Sequence, residues 1–238
     1  MNLNRLDEAK YYGFAFFLNI IWMVIGPAIF FVLLSFTIYQ GVDPTNLSDP
    51  DSLTAYMVAD FFSKFAPIIL SIYIFRLSFK DGITKFKENY KKYLLIIVIG
   101  FIAIIVFNYI ATLIYDLIGV TGTSENQTII ERALNLPIRP IIVITVLVFA
   151  PIIEEIIFRK FLIKFLKTKI SSPLVPYILS AVMFAIIHLD GTVSDLAFLP
   201  VYLILSSFIT LGYKLSNDNI YVAMGIHFLN NLLSLVSI

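Results

Sequence analysis

The chain has 238 residues, of which 59% are hydrophobic and only 14% are charged. Soluble domains are about a quarter charged, so this composition is typical of an integral membrane protein. A net charge of +1 without a basic tail gives no reason to expect a nucleic-acid partner, and the lack of cysteine excludes disulfides, thiolate metal sites and a cysteine nucleophile.

Seven apolar runs predict membrane-spanning helices, since about 20 apolar residues carry a helix across the hydrocarbon core. These runs are residues 12–39, 54–76, 93–115, 140–165, 174–190, 195–213 and 219–237. The predicted fold class is therefore all-α, a polytopic transmembrane helix bundle of about seven spans. The first run is uncharged from Tyr11 to Val42 and lacks a small-residue cleavage signature, so we interpret it as a retained span.

The second run is interrupted by two opposite charges, Asp60 and Lys64. They are four residues apart, so they can pair along one face of a helix. We interpret them as an internal ion pair near a helix end, not as a functional site.

The distribution of basic residues predicts the orientation of the bundle. With a cytoplasmic N-terminus, 14 of the 17 Lys and Arg residues lie on the inner side, as the positive-inside rule expects. Seven spans then give an N-in, C-out arrangement. The composition, rich in Lys, Ile and Asn, suggests a low-GC bacterium, so the predicted location is the bacterial cell membrane.

The outer loop 116–139 is longer than a simple turn. Its stretch SENQTIIERAL (124–134) begins with a capping-box pattern, Ser124 followed by Gln127. We predict a short helix at the membrane interface that ends before Pro137. We interpret this helix as leading the chain into the fourth span, with a substrate-gating role as the alternative.

Polar residues within the last four spans are the candidate functional residues. A charge near the bilayer centre costs at least about 2.5 kcal/mol on insertion scales, so such residues need a reason to be there. The acidic doublet Glu154–Glu155 lies in the fourth span, and the two histidines of the chain, His188 and His227, lie in the fifth and seventh. A lone histidine in a helix is more often a packing residue, but the joint pattern indicates function.

Helical spacing assigns different roles to the two carboxylates. Glu155 and Arg159 are four residues apart, so they can form a charge-assisted pair on one face. Glu154 lies about 100° round the helix from Glu155 and has no obvious partner there, which makes it the candidate working carboxylate. In the seventh span His227 and Asn231 also share a face.

These residues can meet near mid-membrane, since a rise of about 1.5 Å per residue puts Glu154, His188 and His227 at similar depths. A carboxylate beside an imidazole can deprotonate water for attack on a peptide carbonyl. His227 and Asn231 would then donate hydrogen bonds to the developing oxyanion. Alternatively, the two imidazoles and the carboxylate could hold zinc, although the H-E-x-x-H spacing of soluble proteases is absent.

Three motifs carry a family resemblance: EEIIFR (154–159), FAIIH (184–188) and HFLNN (227–231). In this order they resemble the E-E-x-x-x-R, F-x-x-x-H and H-x-x-x-N motifs of the CPBP intramembrane proteases. This family, also called Abi or CAAX protease and bacteriocin-processing, includes the type II CAAX prenyl endopeptidases. The resemblance covers about residues 124–236. It departs in topology, since eukaryotic-type members have eight spans and seven are predicted here.

We therefore predict two domains: N-terminal transmembrane helices at 1–123, with three spans, and a protease core at 124–238, with four. The resemblance implies an intramembrane endopeptidase whose water is activated by Glu154 and His188. It implies an oxyanion site at His227 and Asn231. The residues that would support this site are Glu155, Arg159 and Phe184.

The resemblance also implies metal-free chemistry without a cofactor, with zinc bound by Glu154, His188 and His227 as the alternative. The expected partners are the lipid bilayer and a hydrophobic or lipid-anchored peptide substrate. Family analogy suggests the processing of peptide pheromones, or self-immunity to bacteriocins.

Two other classes of function stay open at the level of sequence. A non-enzymatic membrane adaptor or immunity protein would bind a partner and would keep its phenotype after Glu154→Ala. A proton-coupled transporter would use the acid and the histidines as a relay, but the spans show no visible inverted repeat.

Overall fold

The computed structural model of the protein describes residues 5–43, 46–189, 192 and 194–237. Within these residues every regular element is helical, which confirms the predicted all-α class. The helices are α1 (Arg5–Thr37), α2 (Pro50–Ser63), α3 (Phe65–Ile74), α4 (Arg76–Glu88), α5 (Tyr90–Ile118), α6 (Glu125–Ala133), α7 (Arg139–Lys169), α8 (Val175–Ile186), α9 (Leu199–Leu215, after a 3-10 turn at Asp195–Phe198) and α10 (Ile220–Val236).

Five of the described helical segments are long and apolar enough to cross a membrane. They are Tyr11–Thr37, Pro50–Ile74, Tyr90–Ile118, Arg139–Lys169 and Asp195–Leu215. The other two predicted spans form shorter apolar helices, α8 with 12 residues and α10 with 17. Large apolar side chains lie exposed along α1 and α5, for example Phe36 and Leu117. Such a surface suits contact with lipid, and these features indicate an integral membrane protein.

The second predicted span, 54–76, is not one continuous helix. It is divided at Lys64, between α2 and α3. The cause is Pro67, which has no amide hydrogen to donate to the carbonyl of Ser63 one turn earlier. That carbonyl accepts a hydrogen bond from Trp22 Nε1 of α1 at 2.7 Å instead.

The fifth predicted span, 174–190, is shorter than expected. α8 ends at Ile186, and His188 lies in the following turn, where its backbone N–H donates to Ala185 O at 3.3 Å. The prediction of a helix through His188 is therefore wrong. Asp190, the last residue of that predicted span, lies outside the described residues.

The predicted loop 77–92 contains a helix, α4, that our sequence interpretation missed. Phe79, Ile83 and Phe86 are spaced by four and three residues, so they share one face of this helix. Phe79 is buried, and Tyr221 of α10 donates to its carbonyl at 3.3 Å. That spacing is the feature of the sequence from which α4 could have been predicted.

The predicted helix in the outer loop is confirmed as α6. Ser124 is its N-cap, and Ser124 Oγ accepts a hydrogen bond from Gln127 N at 3.3 Å. The Gln127 side chain donates to Glu131 Oε1 at 3.0 Å, so it does not complete the reciprocal half of the capping box. α6 packs against α2 and α7.

α7 is the central helix of the bundle. Half of its most apolar stretch is buried inside the protein, against 22% for α1 and for α5. Two π-helical turns, Thr145–Phe149 and Ile156–Leu162, flank the segment that carries both glutamates, Ala150–Glu155. π-Helical turns are frequent at functional sites. The division of the chain at residues 123 and 124 stays a prediction.

Candidate active site

A cavity of about 310 Å³ lies between α2, α6, α7, α9 and α10. Apolar side chains such as Met57, Ile130 and Leu205 form part of its wall. Its polar and charged lining residues are Tyr56, Asp60, Lys64, Asn126, Gln127, Thr145, Glu154, His188, Tyr202, His227, Asn230, Asn231 and Ser234. The cavity thus brings together all four residues that the sequence predicts to be catalytic.

Glu154 lies between the two imidazoles. Its Oε2 atom is 3.6 Å from His188 Nε2 and 3.7 Å from His227 Nε2. Both distances are slightly longer than a direct hydrogen bond, and Oε2 has no hydrogen-bond partner among the described residues. The Glu154 side chain lines the cavity and is 12% exposed, whereas its Oε2 atom is buried between the two rings.

The ring of His188 is oriented by Phe184, one turn earlier. His188 Nδ1 lies 2.7 Å from Phe184 O, and a carbonyl can only accept, so Nδ1 carries the hydrogen. This leaves Nε2 as the nitrogen that faces Glu154. The His188 ring also stacks on the Phe184 ring, with centroids 4.4 Å apart.

Glu155 joins α7 to α10. Its Oε2 atom lies 3.1 Å from Arg159 Nε, and its Oε1 atom accepts from His227 Nδ1 at 2.9 Å. Glu155 and Arg159 are both completely buried. The predicted ion pair is therefore present in the structure, and it also holds the second histidine in place.

Arg159 links this pair to α8 and α9. Its Nη2 atom donates to Ser206 O at 3.2 Å, and the guanidinium lies 4.5 Å from the centre of the Phe184 ring. Nη1 has no hydrogen-bond partner in the part of the chain that the structure describes. The cation is thus held by one carboxylate, one carbonyl and one aromatic ring.

Asn231 makes a contact that its spacing from His227 did not predict. In the first π-helical turn of α7, Ala150 N donates to Thr145 O, five residues earlier. The next residue is Pro151, which has no amide hydrogen, so the carbonyl of Val146 lacks a main-chain donor in this helix. Asn231 Nδ2 donates to that carbonyl at 2.9 Å.

The remaining groups of Asn231 are also constrained. Its Oδ1 atom accepts from Asn230 Nδ2 at 3.2 Å. An amide nitrogen has two hydrogens, so after the bond to Val146 one hydrogen of Asn231 is left for another acceptor. Asn231 lines the cavity, and part of its role is to connect α10 with α7.

Asp60 and Lys64 form the predicted ion pair, and the pair lies in the cavity wall. Their side chains are 21% and 15% exposed. Our sequence interpretation treated this pair as purely structural. The sequence did contain a signal for this position. Charges within a membrane span are costly, so Asp60 and Lys64 could have been considered candidate functional residues for the same reason as Glu154.

Tyr202 is a second cavity residue that sequence reasoning missed. Its ring lies 5.1 Å from the His188 ring, at an angle of 31°. A tyrosine within an apolar helix has no spacing that distinguishes it from a core residue, so only the tertiary structure reveals this contact.

Zinc can be tested against the geometry of the site. Glu154, His188 and His227 have suitable donor atoms, but no group of three His, Asp or Glu side chains within the described ranges has the arrangement of a metal site. The zinc alternative therefore stays a prediction, since Glu154 Oε2 lies 3.6 and 3.7 Å from the two imidazole Nε2 atoms that would bind the ion with it.

Residues 137–233 match the family model described as Type II CAAX prenyl endopeptidase Rce1-like. The matched segment contains all three motifs, so it confirms the resemblance that they suggested. No curated protein and no solved structure matches the chain. The matched family is named for an endopeptidase, so the match implies a peptide hydrolase, and with the apolar helices it is consistent with a protease embedded in the membrane. The contributions of α2 and α6 to the cavity lie outside the match.

Proposed function

We propose that the protein is an intramembrane endopeptidase that cleaves membrane-embedded or lipid-associated peptides. The observation that carries this proposal is the Glu154 carboxylate between two imidazoles, in a cavity walled by apolar helices. We place the protein in a bacterial cell membrane because of its Lys-, Ile- and Asn-rich composition. Its apolar runs support a seven-span bundle, and its basic residues support the N-in, C-out arrangement.

Water is activated by Glu154 and His188 in this proposal. We place the attacking water on the cavity side of Glu154 and His188, whose Oε2 and Nε2 atoms are 3.6 Å apart and can both accept hydrogen bonds. Glu154 removes a proton from this water as the oxygen attacks the peptide carbonyl carbon. His188 Nε2 carries no hydrogen in the neutral ring, so it can accept this proton from Glu154 and pass it to the leaving amine as the C–N bond breaks, which restores the Glu154 carboxylate.

The oxyanion is stabilised by His227 and Asn231. Asn231 donates its second amide hydrogen, and its orientation is fixed by the bonds to Val146 and Asn230. His227 donates from Nε2 only when the ring is an imidazolium, because Nδ1 already donates to Glu155. The Glu155 carboxylate then balances the charge of that ring, and Arg159 and Phe184 hold Glu155 and His188 in place.

Metal-free chemistry is part of the proposal, with zinc as the alternative. The experiment is elemental analysis of active, purified protein, followed by treatment with a chelator. We expect activity without stoichiometric zinc and no loss on chelation. Stoichiometric zinc whose removal abolishes cleavage would overturn the metal-free mechanism and leave the endopeptidase function intact.

The substrate is expected to reach the site from within the bilayer. The matched family is named for prenyl endopeptidases, and the apolar cavity wall of this protein suits a hydrophobic peptide. Pheromone processing and self-immunity to bacteriocins remain the biological roles that family analogy suggests. Comparing membrane peptidomes of cells that carry wild-type protein or Glu154→Gln would identify the natural substrate.

The catalytic test uses purified protein in lipid nanodiscs and a library of quenched fluorogenic hydrophobic peptides. Glu154→Gln and His188→Ala should each lower cleavage by about 100- to 10,000-fold, the usual contribution of general acid–base catalysis. Glu88→Gln, the same chemical change on the exposed face of α4, is the matched control. Full cleavage by Glu154→Gln would refute the assignment of Glu154, whereas no cleavage by the wild-type protein would favour the adaptor hypothesis, in which the fold only binds a partner.

A further inference from the structure

His188 is held by its surroundings more than by its own helix. α8 ends at Ile186, so the imidazole projects from a turn. The bond from Nδ1 to Phe184 O fixes one atom of the ring, and stacking on Phe184 restricts the ring plane from one direction. A second contact is needed to prevent the ring from tilting away from Glu154.

Tyr202 of α9 supplies this second contact. Its ring lies 5.1 Å from the His188 ring at an interplanar angle of 31°, and the side chain is 8% exposed at the cavity wall. Its hydroxyl forms a hydrogen bond of 2.6 Å with Ser124 Oγ, the N-cap of α6. One side chain therefore contacts both the candidate proton acceptor and the helix that borders the cavity.

α6 is attached to the bundle at its first turn by further polar contacts. Glu125 N donates to Asp195 Oδ1 at 3.1 Å, and Ser234 Oγ donates to Gln127 Oε1 at 3.3 Å. Asn126 and Gln127 of the same turn line the cavity. A substrate that contacts this turn would therefore also affect the hydrogen bond between Ser124 and Tyr202.

We propose that Tyr202 is a positioning residue of the active site. Its ring keeps the His188 imidazole aligned with Glu154, and its hydroxyl fixes the position of the first turn of α6 relative to that imidazole. The effect on catalysis rests on the proposed function, whereas the effect on the His188 ring does not. Displacement of a reacting group by about 1 Å can cost about 100-fold in rate, so loss of the ring contact has a measurable consequence.

Three substitutions separate the ring from the hydroxyl. Tyr202→Leu removes both, and we expect kcat to fall by about 10- to 100-fold with a smaller change in KM. Tyr202→Phe keeps the ring and should preserve kcat while it changes KM. Ser124→Ala removes the same bond and also the cap bond from Gln127 N, so it should change KM at least as much as Tyr202→Phe. The double variant should show less than the sum of the two single effects, since they share one bond.

A matched control is Tyr221→Phe, which removes a hydroxyl that donates to Phe79 O, on α4. We expect it to leave both kinetic constants unchanged. If Tyr202→Phe and Tyr221→Phe behave alike, the hydroxyl of Tyr202 has no specific part in the site, and that half of the proposal is wrong.

A second readout does not depend on cleavage. The chain has only two histidines, so a protein labelled with isotopic histidine gives two sets of ring signals in NMR spectra, assigned with His188→Ala and His227→Ala. Tyr202→Leu should shift the His188 signals and leave those of His227 nearly unchanged, while Tyr202→Phe should move His188 much less. Unchanged His188 signals would overturn the proposal, as would equal shifts of both histidines with a general loss of stability. If the wild-type protein cleaved no peptide, the proposed function would fail, but these spectra would still decide the role of Tyr202.

Discussion

Two ion pairs have the same four-residue spacing, one buried in the protein and one in the cavity wall, and they are built differently. Glu155 and Arg159 of α7 are completely buried and are linked to His227 and to the carbonyl of Ser206. Asp60 and Lys64, at the end of α2, are 21% and 15% exposed and lie on one helix. The first pair connects three helices, whereas the second adds no such connection. We therefore expect the side of the cavity formed by α7 (the α7 wall) to be more rigid than the side formed by α2 (the α2 wall).

The two walls nevertheless share one structural feature, a proline that leaves a helix carbonyl without a main-chain hydrogen-bond donor. Pro151 leaves the carbonyl of Val146 to Asn231, and Pro67 leaves the carbonyl of Ser63 to Trp22. In each case a side chain from another helix replaces the missing main-chain donor. A break in a helix near the cavity is thus converted into a contact between helices.

The largest effect should come from Arg159→Ala. It leaves the Glu155 carboxylate buried without its cation, which typically costs about 3–5 kcal/mol. We expect a strongly reduced midpoint in SDS or thermal unfolding, lower accumulation in membranes and lost activity. Arg159→Lys is the control that keeps the charge. An Arg159→Ala protein as stable as wild type would show that the α7 wall does not depend on this pair.

The next largest loss of stability is expected for Asn231→Ala, and its size should depend on Pro151. Asn231→Ala leaves the carbonyl of Val146 without its donor, so we expect a loss of about 1–3 kcal/mol in unfolding experiments. Pro151→Ala restores a main-chain N–H, so the same Asn231→Ala change should destabilise much less in that background. A persistent loss of activity in the double variant would assign Asn231 a role at the oxyanion, whereas recovery would leave it only the role of joining helices.

Trp22→Phe tests the corresponding contact in the α2 wall, where a side chain replaces the donor that proline lacks. It removes the Nε1 donor to Ser63 O but keeps an aromatic ring, so we expect a loss of about 1 kcal/mol. Pro67→Ala should reduce this loss, because the new N–H can bond to Ser63 O. If Trp22→Phe were as costly as Arg159→Ala, the two walls would not differ in rigidity as we describe.

The smallest effect on stability is expected for Lys64→Met. The pair with Asp60 is partly exposed to the cavity and lies within one helix, so its loss should cost about 1 kcal/mol or less. We expect KM to change more than kcat, since the residue lines the cavity and is not part of the α7 network. Lys85→Met is the matched control, because Lys85 pairs with Asp81 at the same spacing on the exposed helix α4. A large drop in kcat for Lys64→Met would place Lys64 in the chemistry.

Contacts between residues of one helix could be predicted from the sequence, and contacts between residues of different helices could not. The Glu155–Arg159 and Asp60–Lys64 pairs follow from a separation of four residues. The bond from Asn231 to Val146 was missed because it depends on a proline in another helix. The end of α8 before His188 was also missed, since the apolar run continues beyond the last helical residue.

The sequence by itself determined the helical class, the membrane environment and the set of polar residues that needed an explanation. Apolar length and the cost of placing charge in lipid act locally along the chain, so they can be read from it. Similar depths in the membrane predicted that Glu154, His188 and His227 can meet, but only the tertiary structure decided their contacts and added Tyr202, because these residues belong to four separate segments. The packing of those segments places both imidazoles within 3.7 Å of one carboxylate oxygen and a tyrosine against His188. No spacing in the sequence encodes those distances.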